Sequence, residues 1–390
     1  MLKISAFAIF LVCASSLGAG TIQLYDYGTL DTGTNYTANA YATGINASGQ
    51  VVGYSETSSH SITHGFLLSS GVLKDLGTLG GITDNSYAQS ITDAGTIVGY
   101  SNLSGSLTTH AFTYSGNVIT DIDGSSGTTY GYGINSAGVV VGSQSSGYYG
   151  IPTGFVKSNG VFTNTGGFAG AGINASGRVV GSATQSISNE HAASYFNGTI
   201  TDLGVIAGSS SSGNAINASG QMVGQSDYDI YNNSHAFFYS GGTMTDLGSL
   251  GGNHSAAFGV NSYGQVVGDA YSNNPKYLYG VPTPSFIDHA FLYSNGHMYD
   301  LNDYISTGLG ITLTQAVAIN DSGVIAINGT IGNGSHHFFV MDTAGTFAVA
   351  SPTPEPASFG LALIAGLLVV GFPRLKSLVY SRTNVREDVG

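Results

Sequence analysis

One short phrase, Ile-Asn-x-x-Gly or a close variant, recurs through most of the 390-residue chain. Its copies follow at intervals of 39 to 46 residues, with one longer interval of 59 before the last. They begin at Ile45, Ile91, Ile134, Ile173, Ile216, Val260 and Ile319. A period of this length is typical of architectures in which every unit is one supersecondary motif. The repeat therefore constrains the fold more than any other feature.

Three further phrases complete each unit. An apolar pair with a glycine comes first, as in Val51-Val52-Gly53. A His-Ala-Phe triplet or a variant follows, and then a phrase opened by aspartate, such as Asp75-Leu76-Gly77-Thr78-Leu79-Gly80-Gly81. The recurrent histidines are His64, His110, His191, His235 and His289, and the recurrent aspartates are Asp75, Asp121, Asp202, Asp246 and Asp300.

Each unit thus holds four short apolar or alternating runs between turn residues, with the aspartate phrase as the fourth strand, which predicts a four-stranded antiparallel meander. In the turn Asn46-Ala47-Ser48-Gly49, the asparagine side chain can cap the turn. One such sheet is too small to be stable alone, whereas several can bury their faces against each other. Over residues 21–350 we therefore expect an all-β fold, a seven-bladed β-propeller of four-stranded antiparallel blades. An open β-solenoid is the alternative.

Two segments compete to complete the last blade as its outer strand. The run from Ile22 to Leu30 resembles the aspartate phrase, although no unit precedes it. Residues 346–350 could occupy the same place. The sequence leaves both possibilities open.

Residues 1–20 have the layout of a secretory signal peptide. Lys3 provides the positive n-region, an apolar run follows, and small residues near Ala19 and Gly20 suit signal peptidase. The alternative is a membrane anchor, for which the apolar run is too short. The only cysteine, Cys13, lies in this leader, so the predicted mature chain has no cysteine to form a disulfide.

The C-terminal end has three parts: a linker at 351–356, an apolar segment at 357–373 that includes a short hydrophobic helix, and a basic tail at 374–390. The apolar segment is of marginal length for a transmembrane helix, and the basic residues after it would hold that end in the cytoplasm. A buried core helix is the alternative, against which the proline-rich break argues. The proposed sorting motif consists of Pro354, Glu355, Pro356, Arg374 and Lys376.

The phrases of the body resemble the extracellular HAF-repeat family, and the C-terminal end resembles the PEP-CTERM sorting signal of Gram-negative bacteria. The first resemblance covers about Leu24 to Val349 and implies an exported repeat protein with no established catalytic activity or ligand. The second implies an exosortase and signal peptidase as partners during export. It also implies a transient inner-membrane anchor, cleavage near the Pro-Glu-Pro triplet, and release to the cell surface or extracellular matrix. The tail departs from such signals, because residues 377–390 continue beyond the basic pair.

Charge argues against a nucleic-acid partner. The chain carries a net charge of −13. Between the leader and the tail, the only basic residues are Lys74, Lys157, Arg178 and Lys276. An acidic surface of this kind repels phosphate backbones.

The recurrent histidines and aspartates invite a metal or catalytic interpretation, but a residue that serves every unit is expected to be structural. A histidine and an aspartate of one unit, such as His64 and Asp75, can hydrogen-bond between adjacent strands. The sequence contains no His-Glu-x-x-His motif and no complete EF-hand loop, so we predict neither a metal site nor a cofactor. A glycosidase would need a carboxylate pair outside the repeat. The loop acids to test are Asp227, Asp229, Asp269 and Asp288.

Function is expected where the units differ, in the loops between second and third strands. Several of these loops are rich in tyrosine, which stacks on sugar rings. The candidate glycan-binding residues are Tyr148, Tyr149, Tyr228, Tyr231, Tyr271, Tyr277 and Tyr279, and the alternative is that these rings only cover their own loops. The favoured function is a non-catalytic structural role at the cell surface or in a biofilm matrix, associated with extracellular polysaccharide. A glycan-binding adhesin is the alternative, and a polysaccharide-active enzyme is the least favoured.

Overall fold

The computed structural model describes residues 11–13, 22–31, 38–58, 62–106, 108–123, 127–145, 153–186, 189–231, 233–272, 276–278, 281–283, 287–306 and 308–343. Within these ranges the regular elements are β-strands and one short 3₁₀ helix, η1 (Leu301–Tyr304). The strands form repeated four-stranded antiparallel sheets, and in most of them the four strands follow in chain order. The architecture is propeller-like, and sheets of this kind are meanders rather than the coils of a solenoid.

The first half of the body contains three complete sheets. Their strands are β3 (Ala40–Ile45), β4 (Val51–Glu56), β5 (Thr63–Ser69) and β6 (Val72–Asp75); β7 (Ser86–Ile91), β8 (Ile97–Asn102), β9 (Thr109–Ser115) and β10 (Val118–Asp121); β11 (Thr128–Ile134), β12 (Val140–Ser145), β13 (Thr153–Ser158) and β14 (Val161–Gly166).

The second half repeats the pattern, with a small extra hairpin between β24 and β27. Its strands are β15 (Phe168–Ile173), β16 (Val179–Ser186), β17 (Asn189–Phe196) and β18 (Thr199–Gly204); β19 (Ser211–Ile216), β20 (Met222–Asp227), β21 (Ser234–Ser240) and β22 (Thr243–Asp246); β23 (Gly251–Val260), β24 (Val266–Ser272), β27 (Ile287–Ser294) and β28 (His297–Asp300), with the hairpin β25 (Lys276–Leu278) and β26 (Val281–Thr283). The last unit contributes β29 (Thr312–Ile319), β30 (Val324–Thr330) and β31 (His336–Asp342).

The N-terminal segment supplies the fourth strand of the last sheet. Strand β2 (Ile22–Asp26) pairs antiparallel with β31, and Leu24 faces Met341. Of the two segments that the sequence left open, the N-terminal one therefore occupies this place. Strand β1 (Leu11–Cys13), which lies in the predicted leader, pairs with the outer edge of β2.

The apolar phrase and the His-x-Phe phrase of the repeat lie on neighbouring strands, and a residue of one packs on a residue of the other. A Cβ atom built on Gly53 of β4 would lie 2.0 Å from the Tyr41 carbonyl oxygen and 2.7 Å from the ring of Phe66. Phe66 is fully buried. The glycine of the apolar phrase thus makes room for the phenylalanine of the His-x-Phe phrase on the neighbouring strand, and close approach of this kind is a common reason for glycine in a strand.

The aspartate phrase corrects our sequence prediction for the fourth strand. Strand β6 ends at Asp75, so the strand precedes the phrase and the phrase itself connects one sheet to the next. The chain turns at this point because the Gly77 amide donates to Asp75 Oδ1 at 2.7 Å and Gly77 adopts a φ of +74°. Leu76 then enters the core between neighbouring sheets.

The core lies between adjacent sheets. One cluster joins Val52 and Leu76 of the first sheet to Ala88, Ile97 and Phe112 of the next. Equivalent clusters lie between later neighbours, and one of them joins the last unit to the first, with the rings of Phe66 and Phe338 stacked 4.6 Å apart. Each sheet therefore covers the apolar face of its neighbour, as the repeat predicts.

Several predictions concern parts of the chain outside the described residues. These are the predicted leader apart from Leu11–Cys13, the linker with Pro354, Glu355 and Pro356, the apolar segment 357–373 with its helix, and the basic tail 374–390. Within the ranges that are described, no helix has the length and apolar character needed to cross a bilayer.

Candidate functional site

The recurrent histidine and aspartate of each unit hydrogen-bond to each other across the third and fourth strands. His64 Nδ1 lies 2.8 Å from Asp75 Oδ2, and His289 Nδ1 lies 2.6 Å from Asp300 Oδ2. The remaining predicted pairs have the same geometry, namely His110–Asp121, His191–Asp202 and His235–Asp246. In the third unit, Thr153 replaces the histidine and accepts a hydrogen bond from Asn164. The expected cross-strand hydrogen bond is thus present.

Oδ1 of each aspartate also caps the turn that follows. In the first unit Oδ1 of Asp75 accepts from the Gly77 amide, and in the sixth Oδ1 of Asp300 accepts from the Asn302 amide at 2.9 Å. Burial alone would raise the pKa of Asp75 and Asp300, but the hydrogen bonds from the histidine and the amide lower it below its ordinary value. Each of these carboxylates therefore accepts hydrogen bonds from the neighbouring strand and from the following turn.

Sequence reasoning missed one such pair. His337 Nδ1 lies 2.9 Å from Asp26 Oδ1, and the Gly28 amide donates to the same oxygen at 2.8 Å. The strand β2 thus supplies the aspartate that the last unit lacks. The Asp26-Tyr27-Gly28 spacing, which matches Asp75-Leu76-Gly77, was the available signal.

The asparagine of Ile-Asn-x-x-Gly joins neighbouring units, a role that was also missed. Asn174 Nδ2 donates to the Asn217 carbonyl oxygen at 3.2 Å, and Asn217 Nδ2 donates to the Asn261 carbonyl oxygen at 2.8 Å. The series continues through Asn320, whose Nδ2 donates to the carbonyl oxygen of Asn46 in the first unit at 3.1 Å. Meanwhile Oδ1 of each asparagine caps its own turn, as predicted from the sequence.

The predicted glycan-binding tyrosines have unlike surroundings. Tyr231 is 78% exposed. Tyr228 stacks on His235 with ring centres 3.8 Å apart, and Tyr271 lies 5.0 Å from the ring of His254. Tyr148, Tyr149 and Tyr279 lie outside the described residues, and Tyr277 belongs to β25, where the side chains are not described. Of the described rings in this set, Tyr231 is thus the one that offers an open face.

The four loop acids also differ from one another. Asp227 Oδ2 accepts from the Ser210 amide at 3.0 Å, and Asp229 caps its loop through the Tyr231 amide at 2.9 Å. Hydrogen bonds from Asn233 and from backbone amides lower the pKa of Asp229. Asp288 lies in β27, opposite Tyr271.

Asp269 is the most unusual of these acids. It is buried in β24, where Gln315 Nε2 donates to Oδ2 at 2.8 Å and His254 Nε2 lies 3.7 Å from Oδ1. Burial, together with the charge of Asp288, raises the pKa of Asp269 to about 6, against the smaller lowering effect of the Gln315 hydrogen bond. Burial lowers the pKa of His254. The sequence did not distinguish Asp269, because its burial depends on packing against β29.

A cavity of about 690 Å³ lies where the first strands of the sheets meet. Every one of these sheets contributes a residue of its first strand, from Thr43 of β3 to Val317 of β29. The amide-bearing lining residues are Gln89, Asn214, Gln315 and Asn328, and the tyrosines are Tyr41, Tyr54, Tyr100 and Tyr132. We call this space the central cavity.

The tyrosines belong to a continuous series of rings, which we call the tyrosine arc: Tyr41, Tyr54, Tyr87, Tyr100, Tyr130 and Tyr132. Successive ring centres are 5.2, 5.1, 5.0, 5.0 and 6.3 Å apart. All six rings are partly buried. Burial and neighbouring tyrosines raise the pKa of Tyr54 and Tyr100, so their hydroxyls stay protonated.

Nothing in the described part of the chain gathers three or more metal-ligating side chains of the His, Cys, Asp or Glu type. No family model matches the chain, and no curated protein matches it. Among solved structures, TolB from Acinetobacter baumannii is similar with a TM-score of 0.40 and 9% identity, over 78% of this chain and 79% of that chain. A similarity of this size does not identify a function.

Proposed function

We propose that this chain is an exported, non-catalytic repeat protein with a structural or interaction role at the cell surface or in the extracellular matrix, associated with exopolysaccharide. One observation carries the proposal. The residues that could perform chemistry in each unit, such as His64 and Asp75, are engaged with each other and with the adjacent turn. Side chains used in this way stabilise the repeat.

The architecture that we propose is a closed ring of seven blades. Two contacts between the last and first units support closure. Asn328 binds the Ala42 backbone on both sides, accepting from its amide at 2.8 Å and donating to its carbonyl at 3.2 Å. The strand that precedes the first unit also belongs to the sheet of the last unit, because β2 pairs with β31. A ring joined in this way leaves fewer exposed strand edges.

Export is the part of the proposal that rests on the two ends of the sequence. A leader at 1–20, a Pro-Glu-Pro triplet and a basic pair at Arg374 and Lys376 support passage through the inner membrane and processing by signal peptidase and an exosortase. The test is mass spectrometry of both mature ends, combined with fractionation of the cells. We expect a surface or matrix protein that begins after Ala19 or Gly20 and lacks the apolar tail. A full-length chain recovered from the cytoplasm would contradict the proposal.

Glycan binding is the second candidate function, and the tyrosine arc favours it, since partly exposed aromatic faces beside amide groups suit sugar rings. The loop tyrosines give a first test. If replacing Tyr231 and Tyr271 with alanine abolishes retention on polysaccharide, the loops bind the glycan. If retention is unchanged, the central cavity is the site to test next. A polysaccharide-active enzyme has less support, because Asp227 and Asp229 bind backbone amides of their own surroundings.

A further inference from the structure

The tyrosine arc is not required by the fold. Tyr41, Tyr87 and Tyr130 occupy one register position in the first three units, opposite the glycine-containing second strand. Later units place Ala169, Ser212 and Ala256 at that same position, and their sheets have the same pairing. An alanine or a serine is therefore sufficient for the sheet. The tyrosine rings that line the cavity need another explanation, and rigid aromatic faces beside a cavity are a common feature of binding sites.

The lining of the central cavity also contains polar side chains. Asn214 and Gln315 line it, and Gln315 donates to the buried carboxylate of Asp269. Amide side chains carry both donors and acceptors, so they can bind hydroxyl groups in either sense. The Oδ1 atom of Asp269 is buried and has no hydrogen-bond partner among the described residues. The lining of the cavity thus combines aromatic rings with hydrogen-bonding groups.

Charge narrows the class of ligand. No described residue that lines the central cavity is a lysine or an arginine. In the described part of the body, the Lys157 ammonium group lies over the ring of Phe162, and the Arg178 guanidinium group lies over the ring of Phe196. Asp269 adds negative charge next to Gln315. A phosphate or a uronate in the cavity would lie near this negative charge, with no lysine or arginine in the lining to bind it, and such an arrangement is unfavourable.

We propose that the central cavity binds a neutral saccharide, with pyranose rings stacked on Tyr54 and Tyr100 and with sugar hydroxyls bound by Asn214 and Gln315. The volume of about 690 Å³ suits a small ligand or the end of a chain, since such sites measure about 300–1,000 Å³. The inference rests on the glycan-binding candidate above and assigns it a different site from the loop tyrosines. Binding in the cavity does not depend on whether the protein is exported. The export proposal and the cavity proposal can therefore fail separately.

The test measures binding of the full chain to neutral hexasaccharides, namely cellohexaose, laminarihexaose and mannohexaose, and to hexagalacturonate. Calorimetry is one readout, and tyrosine fluorescence is a second, because the chain has no tryptophan. We expect at least one neutral sugar to bind and hexagalacturonate to bind more weakly. Replacing either Tyr54 or Tyr100 with alanine should weaken binding about tenfold, while Tyr54→Phe should keep it close to wild type.

Tyr263→Ala is the matched control, because this tyrosine is 44% exposed in the turn between β23 and β24 and does not line the central cavity. It should bind like the wild type. Near-ultraviolet circular dichroism identifies any variant that fails to fold. If an alanine variant fails to fold, Tyr54→Phe and Gln315→Glu still test the site. We expect Gln315→Glu to weaken binding. Absence of binding to all three neutral sugars would overturn the inference. So would equal binding of hexagalacturonate, or loss of binding in Tyr231→Ala but not in Tyr54→Ala.

Discussion

Asn217 illustrates how one side chain serves two units. Its Oδ1 accepts from the Gln221 amide at 3.0 Å within its own turn, and its Nδ2 donates to the Asn261 carbonyl oxygen of the next unit. The side chain is 6% exposed. Thr92 is the natural exception, because Thr92 Oγ1 accepts from the Thr96 amide at 3.1 Å but has no amide to donate to a neighbouring unit.

This contrast yields a prediction for stability. Replacing Asn217 with alanine removes both the turn bond and the bond between units, so the free energy of unfolding should fall by about 1–3 kcal/mol. Asn217→Thr should lose less, because threonine keeps the turn bond. Urea denaturation measures both variants. Equal losses in the two would show that the bond to Asn261 is the only one that matters, and no loss in either would contradict the assigned roles.

Asp269, which is buried, and Asp75, whose side chain is 45% exposed, should give opposite pH dependences. The pKa of Asp269 is raised from 3.8 to about 6, so its ionisation destabilises the fold as the pH rises from about 4 to 6. The pKa of Asp75 is lowered, so its contribution is present above about pH 4 and is lost as the pH falls through the lowered value. We therefore expect Asp269→Asn to be more stable than wild type at pH 7, by about 1–3 kcal/mol, and equal to it near pH 3.5.

Asp75→Asn is the counterpart of that variant. It should be less stable than wild type at pH 7, and the difference should shrink as the pH falls below 4. Urea denaturation between pH 3 and pH 8 measures both differences. Two differences with the same sign at pH 7 would show that the environment of one of these carboxyl groups is not as described.

At the scale of elements, β2 is the strand on which the last sheet depends. It places Ile22 and Leu24 in the core with Phe339 and Met341, and it brings Asp26 to His337. Without β2, strand β31 would present an unpaired edge. Exposed edges of this kind pair with other chains.

Truncation tests this dependence. A chain that lacks residues 1–31 should have a melting temperature lower by many degrees and should associate with itself, since it loses core and gains an open edge. A chain that lacks only residues 1–20 is the control, because it keeps β2 and loses only β1. Thermal unfolding and light scattering measure the outcome. Similar melting temperatures for the two truncated chains would contradict the role of β2.

At the scale of the whole molecule, the contacts between Asn320 and Asn46 and between Phe338 and Phe66 join the two ends of the repeat. In a linear array, stability is approximately a sum over units and their interfaces. In a ring, every unit also affects closure. The propeller and the solenoid therefore respond differently to the loss of one unit.

Deleting residues 174–216 removes one full repeat and rejoins Ile173 to Asn217, so that the Ile-Asn sequence is preserved at the junction. In a closed ring we expect a large loss of stability, because the remaining sheets must strain or leave the ring open. In an open array the loss should amount to about one unit's share. Denaturant unfolding of the deleted and complete chains distinguishes the two. A loss limited to one unit's share would count against closure.

The sequence alone determined the repeating unit, because motif spacing, turn residues and alternating apolar positions are local properties of the chain. It predicted the all-β sheets, the cross-strand bond between His64 and Asp75, and the turn cap of Asn46. It placed the fourth strand incorrectly, since a phrase that recurs can form a connection as well as a strand. Only the tertiary structure decided that β2 completes the last sheet, that Asn217 reaches the next unit, and that Tyr54, Tyr100 and Gln315 line one cavity. The reason is physical: these contacts join residues far apart in the chain, and their partners are set by how the sheets pack, which no local pattern encodes.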